Sequence, residues 1–498
     1  MSYSFTGKYG NNNINQPAVI FSILTAVVLS GFAVARGGMV IGLALIVLPF
    51  LITYIYFVFK NPRIGIIGLF ILNFFVLGSM RYIKGIPLGL TVDAHIVLIY
   101  LAIIFKSYEN KIPWENAKND LVLLTSIWFA YALFQLVNPE AVSRMAWFYA
   151  MRGVALYILL MVPLIFITFN KKADLEVFFK LWAVLSILGT LKGLMQKFIG
   201  PDPWEQAWLN GGGDLTHVLF GRLRIFSFFS DAGQFGAAQG HSGVVFLILA
   251  LNLKKSKKLR IFYAIAGLLA IYGLMISGTR GAIAVPIMGF ALYIFLQKNF
   301  KVIIAGALTG IVVIGFFVFT TIGNNNYTIN RMRSAFNPQD KSLLVRLENQ
   351  RKLKSYLADR PFGGGIGSAG NWGKRFSPNT FLAKTPTDSW YVMIWAEQGI
   401  VGLTLHLFIL FYIVFKSSYI IMFKLKDPWN KAKMSALVSG LFGIMVASYG
   451  NGVLGQMPTG LIIYSSMAFL FLARKYETEN SDLNIELQYT GNQKNNLR

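Results

Sequence analysis

The chain contains no cysteine, so disulfides, thiolate catalysis and cysteine-ligated metals are excluded. Charge is also sparse: Asp, Glu, Lys and Arg together make up 13% of the residues, against roughly a quarter in soluble domains. Acidic residues are the scarcest, 21 against 46 Lys and Arg. The four histidines, His95, His217, His241 and His406, are scattered without ligand spacing, so no metal site is expected. There is no P-loop and no Gly-x-Ser-x-Gly elbow, which leaves nucleotide-driven and serine-hydrolase mechanisms without support. Gly365-Ile366-Gly367-Ser368-Ala369-Gly370 matches G-x-G-x-x-G, yet no strand precedes it and no βαβ unit surrounds it, so it is read as coincidence. No internal repeat is visible, which weighs against a transporter built from inverted halves.

What is abundant is apolar sequence. Of the 498 residues, 55% are hydrophobic and 15% aromatic. The apolar residues come in continuous runs of roughly 16 to 25, the length that crosses a hydrocarbon core as a helix. Alternation of the β-barrel kind is missing. The fold expected is an all-α polytopic membrane protein with about fourteen transmembrane helices. Spans are expected near 17–35, 39–59, 64–79, 90–105, 120–137, 150–169, 176–198, 237–253, 259–277, 281–297, 302–320, 389–415, 434–450 and 458–473.

The net charge of +25 would suggest nucleic acid in a soluble protein. Here many Lys and Arg sit in short links between apolar runs, in every second link, so the charge is read as topology and nucleic acid is not expected as a partner. The basic links are then cytoplasmic, and with an even span count both termini lie inside. Residues 1–16 are polar and Asn-rich, without the pattern of a cleavable signal, and read as a cytoplasmic segment. Residues 17–320 carry spans one to eleven with an external loop at 199–236, residues 321–388 form a large, partly helical external loop, and residues 389–473 carry spans twelve to fourteen. Residues 474–498 read as a disordered cytoplasmic tail.

The loop at 321–388 holds eleven Lys and Arg against four Asp and Glu. That surplus lies on the side where positive charge is selected against, which points to an anionic visitor, although long loops also translocate regardless of charge. Within it, Ser342 to Leu357 reads as an amphipathic helix with Leu343, Leu347, Leu353 and Leu357 near one face, lying on the membrane or capping a cavity. Next comes Arg360-Pro361-Phe362-Gly363-Gly364-Gly365-Ile366-Gly367. Gly363, Gly365 and Gly367 allow tight turns whose amides can approach phosphate oxygens.

Arginines gather on the same external face. Arg280, in Ser277-Gly278-Thr279-Arg280-Gly281, sits at an outer junction of two spans. It either snorkels to headgroups or offers its planar fork to an anion. Arg222 and Arg224 lie in the other long external loop, and Arg346 in the first turns of the amphipathic helix. Thr387-Asp388-Ser389-Trp390-Tyr391 closes the large loop where the next span begins, with Glu397 about two and a half turns on. Asp388 is the candidate general base. Thr387, Asp388 and Ser389 are equally suited to capping the helix. Glu397, ionisable within an apolar span, needs burial or a partner, and its role is structural or functional.

Three blocks between about Arg222 and Leu403 resemble the O-antigen ligase and polymerase superfamily of bacterial envelope glycan enzymes. They are Ser277 to Gly281; Arg346 through Pro361 and Gly363 to Gly367; and Asp388-Ser389-Trp390-Tyr391 with Glu397-Gln398-Gly399-Ile400-Val401-Gly402-Leu403. Asp388 stands where ligases of the family typically have histidine and Ser389 where they have asparagine, a departure that leans towards a polymerase.

The resemblance implies metal-independent glycan transfer, without cofactor, from a polyprenyl-pyrophosphate-linked donor on the periplasmic face of the bacterial cytoplasmic membrane. Arg280 and Arg346 are expected on the pyrophosphate with Arg224 assisting, and Asp388 as base. Arg222, Gly363, Gly365, Gly367, Tyr391 and Glu397 are expected to contact substrate. The partners implied are the lipid-linked glycan, an acceptor glycan or lipid A core, membrane lipids and a chain-length regulator. Two alternatives stay open: a ligase that passes finished polymer to lipid A core or protein, and, from a different class, a lipid-linked oligosaccharide flippase.

Overall fold

A computed structural model describes residues 45–479, apart from 84, 110, 220 and 338, together with four isolated positions before 45. The expected segment 1–16, the first span at 17–35 and the tail from 480 lie outside the described residues. The described residues are all-α apart from an antiparallel hairpin of two short strands, β1 (Val218–Leu219) and β2 (Arg222–Leu223). Among the described residues nine helices are long and apolar enough to cross a membrane. Three shorter apolar helices accompany them, and the expected count of about fourteen is not confirmed.

The first group is α1 (Leu45–Lys60), α2 (Pro62–Ser79), α3 (Leu90–Glu109), α4 (Asp120–Phe134), α5 (Arg144–Met151), α6 (Tyr157–Thr168) and α7 (Lys172–Phe198). A single π-turn over Arg152–Leu156 joins α5 to α6. The link after α7 holds α8 (Pro203–Trp208), α9 (Asp214–His217) and the hairpin. Then come α10 (Ala232–Asn252), α11 (Lys257–Ile276), α12 (Ala284–Leu296) and α13 (Phe300–Phe319). The large link contains α14 (Tyr327–Arg333), α15 (Lys341–Tyr356), α16 (Gly370–Phe376) and α17 (Phe381–Lys384). The chain ends in α18 (Trp390–Phe423), α19 (Pro428–Ala447) and α20 (Thr459–Phe471).

Polar residues in the links set the helix starts by accepting from first-turn amides: Asn61 for α2, Asn119 for α4, Ser143 for α5, Asp231 for α10 and Asp340 for α15. The centre of the bundle is α10, nearly all of whose residues are buried, packed on α7, α11, α12 and α19. Small residues permit that closeness, as in membrane helix packing generally. A Cβ on Gly289 of α12 would sit 3.0 Å from the Ser439 carbonyl of α19, and one on Gly443 would sit 2.3 Å from the Val285 carbonyl. α13 is the opposite case: it has no fully buried residue and touches α12 along one side, where a Cβ on Gly306 would meet Ile294 at 2.4 Å.

Three expectations are corrected. α10 starts at Ala232 rather than 237, because its first two turns are Gly- and Gln-rich and bury against protein instead of lipid, which hydropathy does not register. The α18 span runs to Phe423, well past 415. Residues 474–479 are helical rather than tail: Tyr476 is fully buried, and Glu477 accepts the Lys426 and Asp427 amides at 2.8 Å each.

Candidate active site

α18 is broken at Gly399, which holds φ +67°, a conformation that glycine adopts freely. A break inside a membrane helix strands backbone groups that must find other partners. The Gly-rich turn supplies them. Gly364 N donates to Ala396 O at 3.0 Å, Val401 N donates to Pro361 O at 3.3 Å, and the Tyr131 hydroxyl donates to Gln398 O at 2.8 Å. The turn is pinned from its other side by Asn138, which donates to Phe362 O and Gly363 O.

This arrangement overturns one expectation. Gly363, Gly365 and Gly367 do not present amides to a ligand; all three are buried and line neither large cavity. A Cβ on Gly363 would meet Gly399 N at 2.4 Å, on Gly365 the Ala141 side chain at 2.5 Å, and on Gly367 the Ala146 carbonyl at 2.5 Å. Their glycines serve close backbone contact. The break also fixes Glu397, 2% exposed, so that one carboxylate oxygen accepts the Ala369 amide at 3.2 Å while Oε2 has no hydrogen-bond partner.

At the start of α18 the capping question is resolved in favour of Ser389, which accepts Val392 N and whose hydroxyl donates to Ser448 O at the end of α19. Asp388 is thus spared that duty. It lies half exposed, with Oδ2 3.6 Å from Arg346 Nε. Tyr391 is spent on packing, its hydroxyl donating to Met445 O at 2.7 Å, and it lines neither large cavity. Arg222 is exposed on β2 and also lies outside both.

Two cavities meet at Arg346 and Asn451, which line both. The first, about 510 Å³, is cationic: Arg224, Arg280 and Arg331 join Arg346 in its wall. Arg224 donates to Thr279 Oγ1 at 3.2 Å, and Arg331 to Gly278 O at 3.4 Å. Arg280 donates to the Asp340 carboxylate and to Ser334 Oγ. Asp340 in turn accepts the Ser342 and Leu343 amides that begin α15, and its bond from Arg280 holds its carboxyl below the usual range. The second cavity, about 430 Å³, is lined by acids, amides and aromatics, among them Asp231, Asp388, Glu397, Trp372 and Trp390.

α15 roofs this junction. Leu353 and Leu357 bury against Leu382, Val392 and Ala396, while Leu343 and Leu347 stay partly exposed beside Arg346 and Asp388. The helix therefore caps a cavity. The structure brings together Arg224, Arg280, Arg346, Asp388 and Glu397 from the sequence expectations. It adds Asp231, Asp340, Trp372 and Asn451. Asp231 and Asp340 read locally as helix caps, and Asn451 sits in a short link between α19 and α20, so none carried a signal in one dimension.

The sequence model of the O-antigen ligase family matches residues 265–407, which include Arg280, Arg346, Asp388 and Glu397 but not Arg224, Asp231 or Asn451. An O-antigen polymerase of Salmonella muenchen is 25% identical over 229 residues, 45% of this chain. The match spans about half of that relative's length, 54%.

Proposed function

We propose that this chain, whose segment 265–407 matches the O-antigen ligase family and which resembles an O-antigen polymerase, is a glycosyltransferase that extends a polyprenyl-pyrophosphate-linked glycan. The observation that carries this reading is the junction of the two cavities, with four arginines in the wall of one and the Asp388 carboxylate in the wall of the other.

The cationic cavity suits a pyrophosphate. Arginine forks bind phosphate oxygens bidentately and stay charged, and in a water-poor site they stabilise the negative charge that builds on a departing phosphate. The donor's anomeric carbon would lie between the cavities, beside Arg346. An acceptor hydroxyl oxygen attacks that carbon, the bond from carbon to phosphate oxygen breaks, and polyprenyl pyrophosphate leaves. The hydroxyl proton passes to Asp388 and then to solvent, which its half-exposed position allows. A single displacement of this kind inverts the anomeric centre. No step draws on a metal or nucleotide.

The aspartate at position 388 favours polymerase over ligase, as does the resemblance to the Salmonella polymerase. With basic links inside, the two cavities open on the outer face of the cytoplasmic membrane. The test is a gel of lipid-linked and surface glycans from a deletion strain complemented with wild type or Asp388→Ala. Loss of the ladder with accumulation of single repeat units supports a polymerase. A lipid-linked ladder that fails to reach its final acceptor means a ligase, and repeat units trapped on the cytoplasmic leaflet would overturn both.

A further inference from the structure

Three side chains that line the second cavity carry a buried polar atom without a hydrogen-bond partner, one of them Arg346 Nε beside Asp388. The other two atoms are Glu397 Oε2 and Asn451 Nδ2. Buried donors and acceptors are nearly always paired, so orphans in a cavity wall mark where a ligand completes the bonding.

The same cavity is lined by an aromatic side chain with a flat apolar face. Trp372 of α16 belongs to a stack with Tyr149 of α5 and Phe376, the rings tilted by only 15–21° and their centroids 5.1–6.2 Å apart. Arg375 lies over all three rings at 5.2–5.9 Å. The stack fixes the Trp372 ring, so presenting it to a ligand requires little further ordering.

We propose that this cavity is a sugar subsite for the acceptor glycan, in which a pyranose ring lies on Trp372 and gives its hydroxyls to Glu397 and accepts from Asn451. A pyranose has an apolar C–H face and a rim of hydroxyls. An aromatic ring matches the face, and carboxylates and amides match the rim, the usual division of labour in a polar small-molecule site. The volume of about 430 Å³ suits a ligand of that size. Its assignment to the acceptor rests on the transferase reading: a base must reach the hydroxyl it deprotonates, and Asp388 lines this cavity but not the cationic one. Asn451, shared by both, sits where donor and acceptor sugars come together.

The test uses the full-length protein in nanodiscs and oligosaccharides released by partial acid hydrolysis of the host's surface polysaccharide, with binding followed by saturation-transfer NMR. Wild type should bind saturably, with transfer strongest to protons on one ring face. Trp372→Ala should weaken binding about tenfold, the factor that one well-placed aromatic contact supplies, and Asn451→Ala should weaken it as well. Trp372→Phe should retain most of it, and Arg280→Ala, in the other cavity, should bind as wild type does. Absence of saturable binding to wild type, or wild-type affinity in both Trp372→Phe and Asn451→Ala together with unchanged affinity in Trp372→Ala, overturns the subsite. If Trp372→Ala does not fold, Asn451→Ala decides. A deletion strain with a normal ladder would defeat the transferase reading, whereas these binding data would still stand or fall separately.

Discussion

Arg346 and Asp388 face each other across 3.6 Å at the point where a cationic cavity adjoins an acidic and aromatic one. The arginine comes from the roof helix α15 and the aspartate from the residue before the α18 cap, two segments some forty residues apart. Their contact couples the group expected to hold the leaving pyrophosphate to the group expected to take the proton.

Removal of the carboxylate should therefore stop transfer without loosening the fold. Asp388→Ala should lower the rate of repeat-unit addition by about 10²- to 10⁴-fold, the usual share of a general base. Membrane abundance should stay at the wild-type level, because Ser389 rather than Asp388 caps α18. An in vitro extension assay with purified protein checks both; a variant with full activity sinks the assignment.

Arg280 is paired with Asp340. Arg280→Ala should abolish chain growth with abundance unchanged. Asp340→Asn keeps a side-chain oxygen to cap α15 but removes the competing charge, so it should lower the donor KM with little change in kcat. Asp340→Ala also loses the cap and should cost about 1 kcal/mol of stability. Donor titrations and thermal melts in detergent separate the two effects.

The broken helix makes a stability prediction. At Gly399 φ is +67°, and a Cβ would lie 2.0 Å from the Pro361 carbonyl oxygen. Gly399→Ala must then push the Gly-rich turn off α18, exposing the Ala396 and Gln398 carbonyls that Gly364 and Tyr131 satisfy. The loss should exceed about 1 kcal/mol and appear as reduced membrane abundance, measured by blotting; normal levels of an active variant would contradict it.

Acid should loosen the link between α7 and α10. Burial works to raise the Asp202 carboxyl, but the Tyr82 hydroxyl, the Glu205 amide and Lys192 outweigh it and bring it down to about 2, from an ordinary 3.8. A carboxyl depressed on folding contributes stability that is complete above its unfolded value and is lost as pH falls through the folded one. The melting temperature should accordingly drop between about pH 4 and pH 2, and Asp202→Asn should flatten that part of the profile while lowering stability at neutral pH.

The sequence by itself determined the class of the protein and nominated part of the candidate site. Continuous apolar runs leave a chain no choice but membrane helices, since lipid offers backbone groups no other partners. Arg224, Arg280, Arg346 and Asp388 were also nominated by the sequence, because charge next to span ends is costly enough to need a reason. Only the tertiary structure decided what the glycines of 363–367 do. Their pattern reads as an anion loop, but a turn of free amides and a turn that mends a broken helix look alike until the break at Gly399 lies beside it. The same holds for Asn451 and Trp372, which sit in short segments without periodicity or motif. Each acquires meaning only because packing brings α5, α16, α18 and the link after α19 around one cavity, and hydrophobic pattern specifies which face of a helix is buried but not which helix buries it.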